Sequence, residues 1–409
     1  MYLKLAWRNI WRNKRRTLIT VSSVMFAVIF ALALESLEKG AHDMMIENMT
    51  RFHTGQIQLQ DPRYQDEPSL DNAFEYDSNL SRRVLTADSR IDYLVPRIET
   101  FMLAAGDKQT RGAMVFGIDP QAEQQLNGIN EKLAEGDFIE SNSGAGRYAV
   151  IGKGLAERLR LSTGDTLALL GQGRFGMTAS GLFEISGLIE HPMRDLNNGV
   201  VYLSLQDAQW LTSADGRVTS LLVMPQEVRH THAVASALRE ELPADTYSIL
   251  TWQQLIPDLL EALEFDRAST RLYMGILYII IGFGIFGTIL TMTLERLREF
   301  GLLISVGMKR IKLALVVFIE TFLISLLGIA AGFAAGIPIL WYFHLHPIEF
   351  SGDAAEVMAD FGIDPILPAS LSPDIFLWQG LIVFCITILI CLYPSLKIKT
   401  LSITESSRK

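Results

Sequence analysis

The chain has 409 residues, of which 49% are hydrophobic and 20% are charged, and its formal net charge is -9. Its mean hydropathy is +0.24, so the composition indicates a membrane protein with a sizeable polar part. The negative charge argues against nucleic acid as a partner. The two cysteines, Cys385 and Cys391, lie six residues apart in one apolar run. They do not share a helix face, so they predict neither a disulfide framework nor a metal site.

Residues 1–16 form an amphipathic segment. One helical face is apolar and carries Leu3, Ala6, Trp7 and Ile10. Its aromatic anchors and its basic residues predict a cytoplasmic helix that lies in the headgroup region. The apolar run at residues 17–39 is long enough to cross about 30 Å of hydrocarbon. It has no clear cleavage site, so we interpret it as an uncleaved first membrane span.

Residues 40–270 contain no run that could span a bilayer, and they alternate strand and helix signals. Residues 55–60 alternate as a half-buried strand does, and residues 113–118 form an apolar run typical of a buried strand. Residues 166–170 and 182–189 predict a hairpin around a glycine-rich turn. Further strands are predicted at 200–205, 218–224 and 247–250, and helices near 152–159, 206–211 and 228–242. The sequence therefore predicts a mixed α/β domain large enough to bury its own core.

Three further apolar runs predict membrane spans at residues 272–294, 313–342 and 375–393. A helix is expected from Trp252 to Arg271 that continues directly into the second span, with Pro257 tolerated only in its first turn. The loop at residues 343–374 has no lysine or arginine, which places it outside by the positive-inside rule. Its acidic residues are Glu349, Asp353, Glu356, Asp360, Asp364 and Asp374. The fold class is thus an α-helical membrane protein with four transmembrane helices and a mixed α/β extracytoplasmic domain.

Residues 295–310 separate the second and third spans. Charged residues come first, and an apolar set follows that consists of Phe300, Leu303, Ile304 and Val306. Gly307 offers a helix stop, and the next residues are basic. The pattern predicts a short helix on the cytoplasmic membrane surface. The alternative is a plain basic loop.

The phrase Glu-Arg-x-Arg-Glu-Phe-Gly-Leu-Leu-x-x-x-Gly-Met at residues 295–308 resembles the coupling helix of MacB/FtsX-type (type VII) ABC transporter permeases. Trp-Arg-Asn-x-x-Arg-Asn-Lys-x-Arg-Thr at residues 7–17 and Gly-Ile-Asp-Pro at residues 117–120 resemble further parts of the same family. The resemblance implies a MacB-like periplasmic core at residues 40–270 and an FtsX-like permease domain at residues 271–409. It also implies that a separate ATPase docks on Glu295, Arg296, Arg298, Glu299, Phe300, Gly301, Leu302, Leu303 and Gly307.

The sequence has no nucleotide-binding loop, because Gly152-Lys153 is followed by glycine rather than by serine or threonine. The chain is therefore expected to hold no cofactor and no catalytic site of its own, with ATP and magnesium bound by the partner ATPase. Two histidines, His344 and His346, are two residues apart in a loop. That spacing does not suit a zinc site, so no metal is expected.

Several residues within the spans are candidates for packing or cargo contact. Gly328, Gly332 and Gly336 predict close helix packing. Glu320 is costly inside a span, so it is either a structural or relay group in the permease dimer or a solvated, protonated carboxyl. An apolar cavity for cargo is expected between the first and second spans. Its predicted walls are Val24, Ala27, Val28, Ala31, Ile276, Ile280, Phe283 and Leu290.

The resemblance implies a permease subunit in which ATPase closure moves the outer domain. Within the family, the layout is most similar to the lipoprotein-releasing permeases of Gram-negative bacteria. This implies a multi-pass protein of the bacterial inner membrane whose large domain is periplasmic. The implied partners are a dimeric ABC ATPase, a second permease copy or paralogue, the lipid bilayer and a periplasmic lipoprotein carrier. Two alternatives stay open: a MacB-like exporter of drugs or antimicrobial peptides, and an FtsX-like regulator of a cell-wall hydrolase that moves no substrate.

Overall fold

The computed structural model of the chain describes residues 2–12, 14–139, 146–191, 193–352, 355 and 365–400. Asp353, Glu356, Asp360 and Asp364 of the predicted acidic loop lie outside the described residues. The chain forms two compact units. The helical unit comprises Met1–Met44, Ala262–Glu349 and Ile366–Lys409, and the sheet unit comprises Met45–Glu261 and Phe350–Pro365.

The elements of both units are numbered along the chain. The helices are α1 (Tyr2–Arg12), α2 (Lys14–Met49), α3 (Ser78–Ala87), α4 (Pro120–Asn127), α5 (Lys153–Leu159), α6 (Arg194–Gly199), α7 (Leu205–Thr212), α8 (Thr231–Glu241), α9 (Trp252–Leu255), α10 (Pro257–Glu295), α11 (Leu297–Ser305), α12 (Arg310–Leu345) and α13 (Pro373–Thr400). The strands are β1 (Ile57–Gln60), β2 (Phe74–Glu75), β3 (Ile91–Ala105), β4 (Thr110–Ile118), β5 (Leu133–Gly136), β6 (Tyr148–Gly152), β7 (Thr166–Gln172), β8 (Thr178–Ile189), β9 (Val200–Ser204), β10 (Arg217–Val218), β11 (Ser220–Pro225), β12 (Ser248–Thr251), β13 (Ile348–Glu349) and β14 (Ile366–Leu367).

Four helices within the described residues, α2, α10, α12 and α13, are long and apolar enough to cross a membrane. Each of them contains one of the predicted spans. The helix predicted from Trp252 is divided at Ile256 into α9 and α10, because Pro257 occupies the first turn of α10, where a proline is tolerated. The helix α13 continues to Thr400 and therefore passes through Pro394, where the predicted span ended. Proline is tolerated inside membrane helices because neighbouring groups satisfy the backbone atoms that it frees.

The glycine stripe of α12 lies against α2. A Cβ atom on Gly328 would lie 2.6 Å from Val24 Cβ, and a Cβ atom on Gly332 would lie 2.7 Å from Val28 Cβ. The contact is looser at Gly336, where the nearest atom, of Leu32, would lie at 3.3 Å. Because glycine has no side chain, the two helix backbones approach closely along this line.

The sheet unit is built on a ten-stranded sheet in the order β12-β1-β11-β3-β4-β9-β6-β8-β5, with β7 pairing both β3 and β8. Most neighbours are antiparallel, whereas β4 with β9 and β6 with β8 are parallel. The predicted hairpin is present as β7 and β8, which pair from Thr166 with Glu184 to Gln172 with Thr178. The predicted fold class, four apolar helices with a mixed α/β domain, is confirmed.

Two strand predictions differ from the structure. The strand β1, predicted to be half buried, is buried along its whole length because both of its faces are covered: Ile57 and Leu59 belong to an apolar cluster, and the alternate residues Gln58 and Gln60 are also buried. The polar side chains on it bond each other, with Gln60 Nε2 donating to Gln58 Oε1 at 2.7 Å. The predicted strand at 218–224 is divided at Thr219, because β10 pairs with β2 while β11 pairs with β1 and β3.

We expect Gly328→Ala to destabilise the helical unit, since the added methyl group would overlap Val24 and lie 3.2 Å from the Val21 carbonyl oxygen. Overpacking of this kind costs about 1–3 kcal/mol. The matched control is Gly287→Ala on α10, where no atom lies within 4 Å of the new Cβ. Thermal unfolding in detergent measures both. Equal midpoints for the two variants would contradict the close approach of α2 and α12.

Candidate functional site

The predicted short helix between the second and third spans is present as α11. It begins after Arg296, whose backbone leaves the helical conformation. It ends at Ser305, and Gly307 two residues later has a φ of +101°, a value that favours glycine. The amide nitrogen of Gly307 donates to the Ile304 carbonyl oxygen at 3.0 Å. These two breaks separate α11 from α10 and α12.

One side of α11 is buried against the first turns of α12. Phe300 is 2% exposed, and it packs with Leu313, Ala314 and Val317. Ile304 and Met308 extend the same cluster. The buried side is thus apolar, and it fixes which side of α11 remains open.

A buried ion pair joins the start of α11 to the interior of α12. Arg296 Nη1 donates to Glu320 Oε1 at 2.6 Å, and the two residues are 5% and 3% exposed. Asn9 Nδ2 of α1 donates to the second carboxylate oxygen of Glu320 at 3.5 Å. The Arg296 guanidinium also lies 5.4 Å from the centre of the Phe300 ring. Glu320 therefore has an arginine partner, which meets the requirement that an ionisable group inside a span be paired.

A second, half-exposed link connects the same elements. Glu299 Oε2 accepts from Arg12 Nη2 at 2.6 Å and from Arg296 Nε at 3.4 Å. On α1, Ile10 is buried with Met292 of α10 and Ile324 of α12. The face of α1 that is buried in the helical unit therefore carries Ala6 and Ile10, whereas Leu3, Trp7 and Trp11 stay exposed. The predicted apolar face is divided between these two environments.

The open side of α11 combines apolar and charged residues. We call it the coupling face, and it comprises Arg298, Leu302, Leu303 and Val306. Leu302 is 64% exposed and Val306 is 79% exposed. Of the nine residues predicted to contact an ATPase, Arg298, Leu302 and Leu303 lie on this face, whereas Arg296 and Phe300 are buried on the opposite side. They are corrected to internal positions, because Glu320 and the apolar start of α12 bury them.

The predicted cargo wall is corrected on the first span. Four residues predicted to line it are buried inside the helical unit: Val24, Ala27, Val28 and Ala31. Val24 and Val28 are buried because they lie against the glycine stripe of α12, whereas Ala27 borders a cleft between α2 and α10. The exposed apolar side chains of α2 are Leu18, Ile19, Phe26, Phe30 and Leu34. On α10, Ile276, Ile280 and Phe283 are exposed, and Leu290 is half buried.

Two clefts lie between α2 and α10. One has a volume of about 630 Å³ and is lined at one end by Arg15 and Glu295. The other, of about 260 Å³, is lined by Phe26 and Phe30 of α2 and by Leu277 and Ile281 of α10. Gly284 borders both clefts, so they follow one another along the two helices.

One group of possible metal ligands occurs among the described residues. Ligand atoms of Glu38, His42 and Asp266 lie within 4.8 Å of one another. His42 Nε2 and Asp266 Oδ2 are 2.8 Å apart, and Arg267 Nε donates to His42 Nδ1 at 3.4 Å. The guanidinium next to the imidazole disfavours a cation there. The expectation that the chain holds no metal stays a prediction.

The four membrane-spanning helices, the separate α11 and the α/β unit after the first span define a multi-pass membrane protein of the permease class. Residues 271–403 match the FtsX-like permease C-terminal family, and residues 17–241 match the MacB-like periplasmic core domain. The chain belongs to the MacB/FtsX-type family of ABC transporter permeases, as its motifs predicted.

Individual relatives are distant. The lipoprotein-releasing system transmembrane protein LolC of Xylella fastidiosa is 24% identical over 259 residues, and the match covers 62% of each chain. The uncharacterized ABC transporter permease MJ1507 of Methanocaldococcus jannaschii is 19% identical over 343 residues, which cover 82% of each chain. The periplasmic region of MacB from Actinobacillus actinomycetemcomitans has a TM-score of 0.36 at 13% identity, covering 53% of this chain and 98% of that one.

We expect Arg296→Met to destabilise the helical unit by about 3–5 kcal/mol, because Glu320 would remain buried without its cationic partner. The double variant Arg296→Met, Glu320→Met removes both charges and should recover most of that loss. Arg298→Met is the matched control, since Arg298 is exposed, and it should change stability by less than about 0.5 kcal/mol. Thermal unfolding in detergent measures all three. The ion pair would lose its structural role if Arg296→Met and Arg298→Met behaved alike.

Proposed function

We propose that this chain is the permease subunit of an ABC transporter and that it transmits the motion of a separate ATPase to its own sheet unit. The observation that carries the proposal is the coupling face of α11. Its residues are open while the opposite side of the helix is held by Phe300 and by the Arg296–Glu320 pair. Because α11 is fixed to α12 on one side and is apolar on the other, an ATPase that binds the apolar side would move α11 without detaching it from α12.

The cytoplasmic position of α11 is supported by charge. Lys309, Arg310 and Lys312 follow it immediately, and α1, which bonds it through Arg12, is also basic. Positive residues between closely spaced spans favour the cytoplasmic side. The sheet unit, inserted after the first span, then belongs in the periplasm, and the protein belongs in the bacterial inner membrane. ATP and magnesium are bound by the ATPase partner.

The cargo we propose is a lipoprotein taken from the inner membrane. The exposed faces of α2 and α10 are apolar, and two clefts follow the line between them. An acyl chain bound to such a face is shielded from water, and its exposure to water would cost about 0.8 kcal/mol per methylene group. A second permease copy or a paralogue would complete the wall. The LolC relative is named for lipoprotein release, which agrees with this choice of cargo.

The receiving partner we propose is a periplasmic lipoprotein carrier. The tip of the hairpin between β7 and β8 carries Phe175, which is 72% exposed and is covered on one side by the Arg174 guanidinium at 4.4 Å. An exposed aromatic residue of this kind is a common anchor at protein interfaces. The second candidate function is MacB-like export, with which the MacB-like core match is equally compatible.

We expect Leu302→Lys or Val306→Lys to weaken binding of the ATPase at least about tenfold, since a buried unpaired charge in an interface costs more than 1.4 kcal/mol. Both side chains are exposed in the chain alone, so the permease should still fold and insert. Val228→Lys in the sheet unit is the control, because that valine is also exposed. Co-purification of the ATPase in detergent is the measurement. Undiminished recovery with both α11 variants would exclude the coupling face as the docking site.

We expect the permease and its ATPase, reconstituted in vesicles, to release a triacylated lipoprotein to a soluble carrier when ATP is added. Phe283→Ser should reduce release several-fold, because it removes an apolar side chain from the open face of α10. Leu377→Ser on α13 is the matched control, an equally exposed position outside the proposed wall. Absence of release, together with ATP-dependent transport of a peptide or drug, would replace the lipoprotein assignment with the exporter.

A further inference from the structure

The helix of the first span is followed by a π-helical turn, Thr50–Thr54, in the sheet unit. Within it, Thr50 Oγ1 donates back to the Ile46 carbonyl oxygen at 2.9 Å. The turn ends at Gly55, which has a φ of +65° and lies against Leu222, so that an added Cβ atom would come within 2.9 Å of that side chain. Single π-helical turns are rare and occur frequently at functional positions.

A buried arginine of β3 holds this turn. Arg97 is 1% exposed, and its Nη1 donates to the His53 carbonyl oxygen at 2.7 Å. Its Nε and Nη2 donate to the two carboxylate oxygens of Glu123 at 3.0 and 2.5 Å. The Asn127 side chain donates to the same carboxylate and accepts from the Ile129 amide at 2.9 Å. One guanidinium thus ties the turn after α2 to β3 and to α4.

The chemistry of this contact favours a firm attachment. Carbonyl groups at the end of a helix carry partial negative charge, so a cation is stabilised there. Burial alone would lower the pKa of Arg97, but the adjacent Glu123 carboxylate outweighs it and raises the pKa, so the guanidinium stays charged. Burial lowers the pKa of His191 to about 4, so this neighbouring imidazole adds no competing charge at neutral pH. Phe52 of the turn packs edge-on against the His191 ring at 4.7 Å.

The strand that carries Arg97 pairs with three other strands of the sheet. The strand β3 pairs with β11, β4 and β7. The carbonyl oxygen of Arg97 also accepts from the Thr219 amide at 3.0 Å. A displacement of the turn would therefore be passed to three neighbouring strands rather than to one loop.

We propose that the Arg97–Glu123 pair is the anchor through which movement of the first membrane helix, α2, reaches the sheet unit. The purpose assigned to this anchor rests on the proposed transmission function. The anchor itself rests on the hydrogen bond from Arg97 to the turn. Arg97 is a positioning residue, since it acts through the backbone of residues 50–54 and touches no cargo.

The test uses full-length permease with its ATPase in nanodiscs. The double variant Arg97→Met, Glu123→Met removes both charges together, because a single replacement would leave a buried unpaired ion. Hydrogen exchange of the amides at residues 50–56 should become about tenfold faster, while β3 and β4 stay protected. The control is Ser220→Ala, which removes a buried hydroxyl of β11 that donates to Glu99 and bonds neither Arg97 nor the turn. Where the double variant does not fold, Arg97→Lys keeps the charge but loses the bidentate fork, and faster exchange at 50–56 is again expected.

The second readout is the change in exchange of the sheet unit when ATP and vanadate are added. This change should occur in the unmodified complex and should be lost in the double variant, whose basal ATP hydrolysis stays unchanged. Unaltered exchange at residues 50–56, or an ATP-driven change that persists in the variant, overturns the anchor. An unmodified complex without any ATP-driven change overturns transmission itself. Failure to release lipoprotein in the vesicle assay overturns only the cargo.

Discussion

The helical unit depends on one buried charge. Glu320 lies inside a membrane span, where a carboxylate is stable only with a partner, and Arg296 supplies that partner from the joint between α10 and α11. The pairing sets the rotation of α11, because Arg296 and Phe300 must both face α12. The opposite side, with Leu302 and Val306, is open for that reason. The position at which the Glu320 carboxylate is paired therefore determines which side of α11 is the proposed ATPase-binding surface.

A second constraint is the glycine stripe of α12, from which no side chain projects toward α2. Gly328 and Gly332 allow α2 to approach closely, so Val24 and Val28, which were predicted to line a cavity, are used for packing. The remaining face carries larger residues, including Phe26 and Phe30. On α2, residue size thus distinguishes the face that packs on α12 from the face that stays exposed. Small residues bring α2 and α12 together, and several large side chains of α2 stay exposed for lipid, cargo or a second copy.

Much of this arrangement could be predicted from the sequence, but only where a local pattern determines the outcome. The length of each apolar run predicts the membrane spans, and a charged stretch followed by an apolar set predicts α11. The inward direction of Arg296 could not be predicted, because four charged residues stand together and the deciding partner, Glu320, is 24 residues away. The longest strand, β3, was missed because Pro96 and nearby charges interrupt its apolar pattern. The burial of Arg97 depends likewise on Glu123, which lies on another element.

The central claim is that α11 presents its coupling face, and not its buried side, to an ATPase. Site-specific photo-cross-linking tests this most directly, with a photoreactive amino acid placed at Leu302 or Val306 and, for comparison, at Ile304, which packs toward α12. We expect irradiation to cross-link the ATPase to positions 302 and 306 and not to position 304. Cross-linking at position 304 as strong as at position 302 would contradict this arrangement. The absence of cross-linking at all three positions in an assembled complex would contradict it as well.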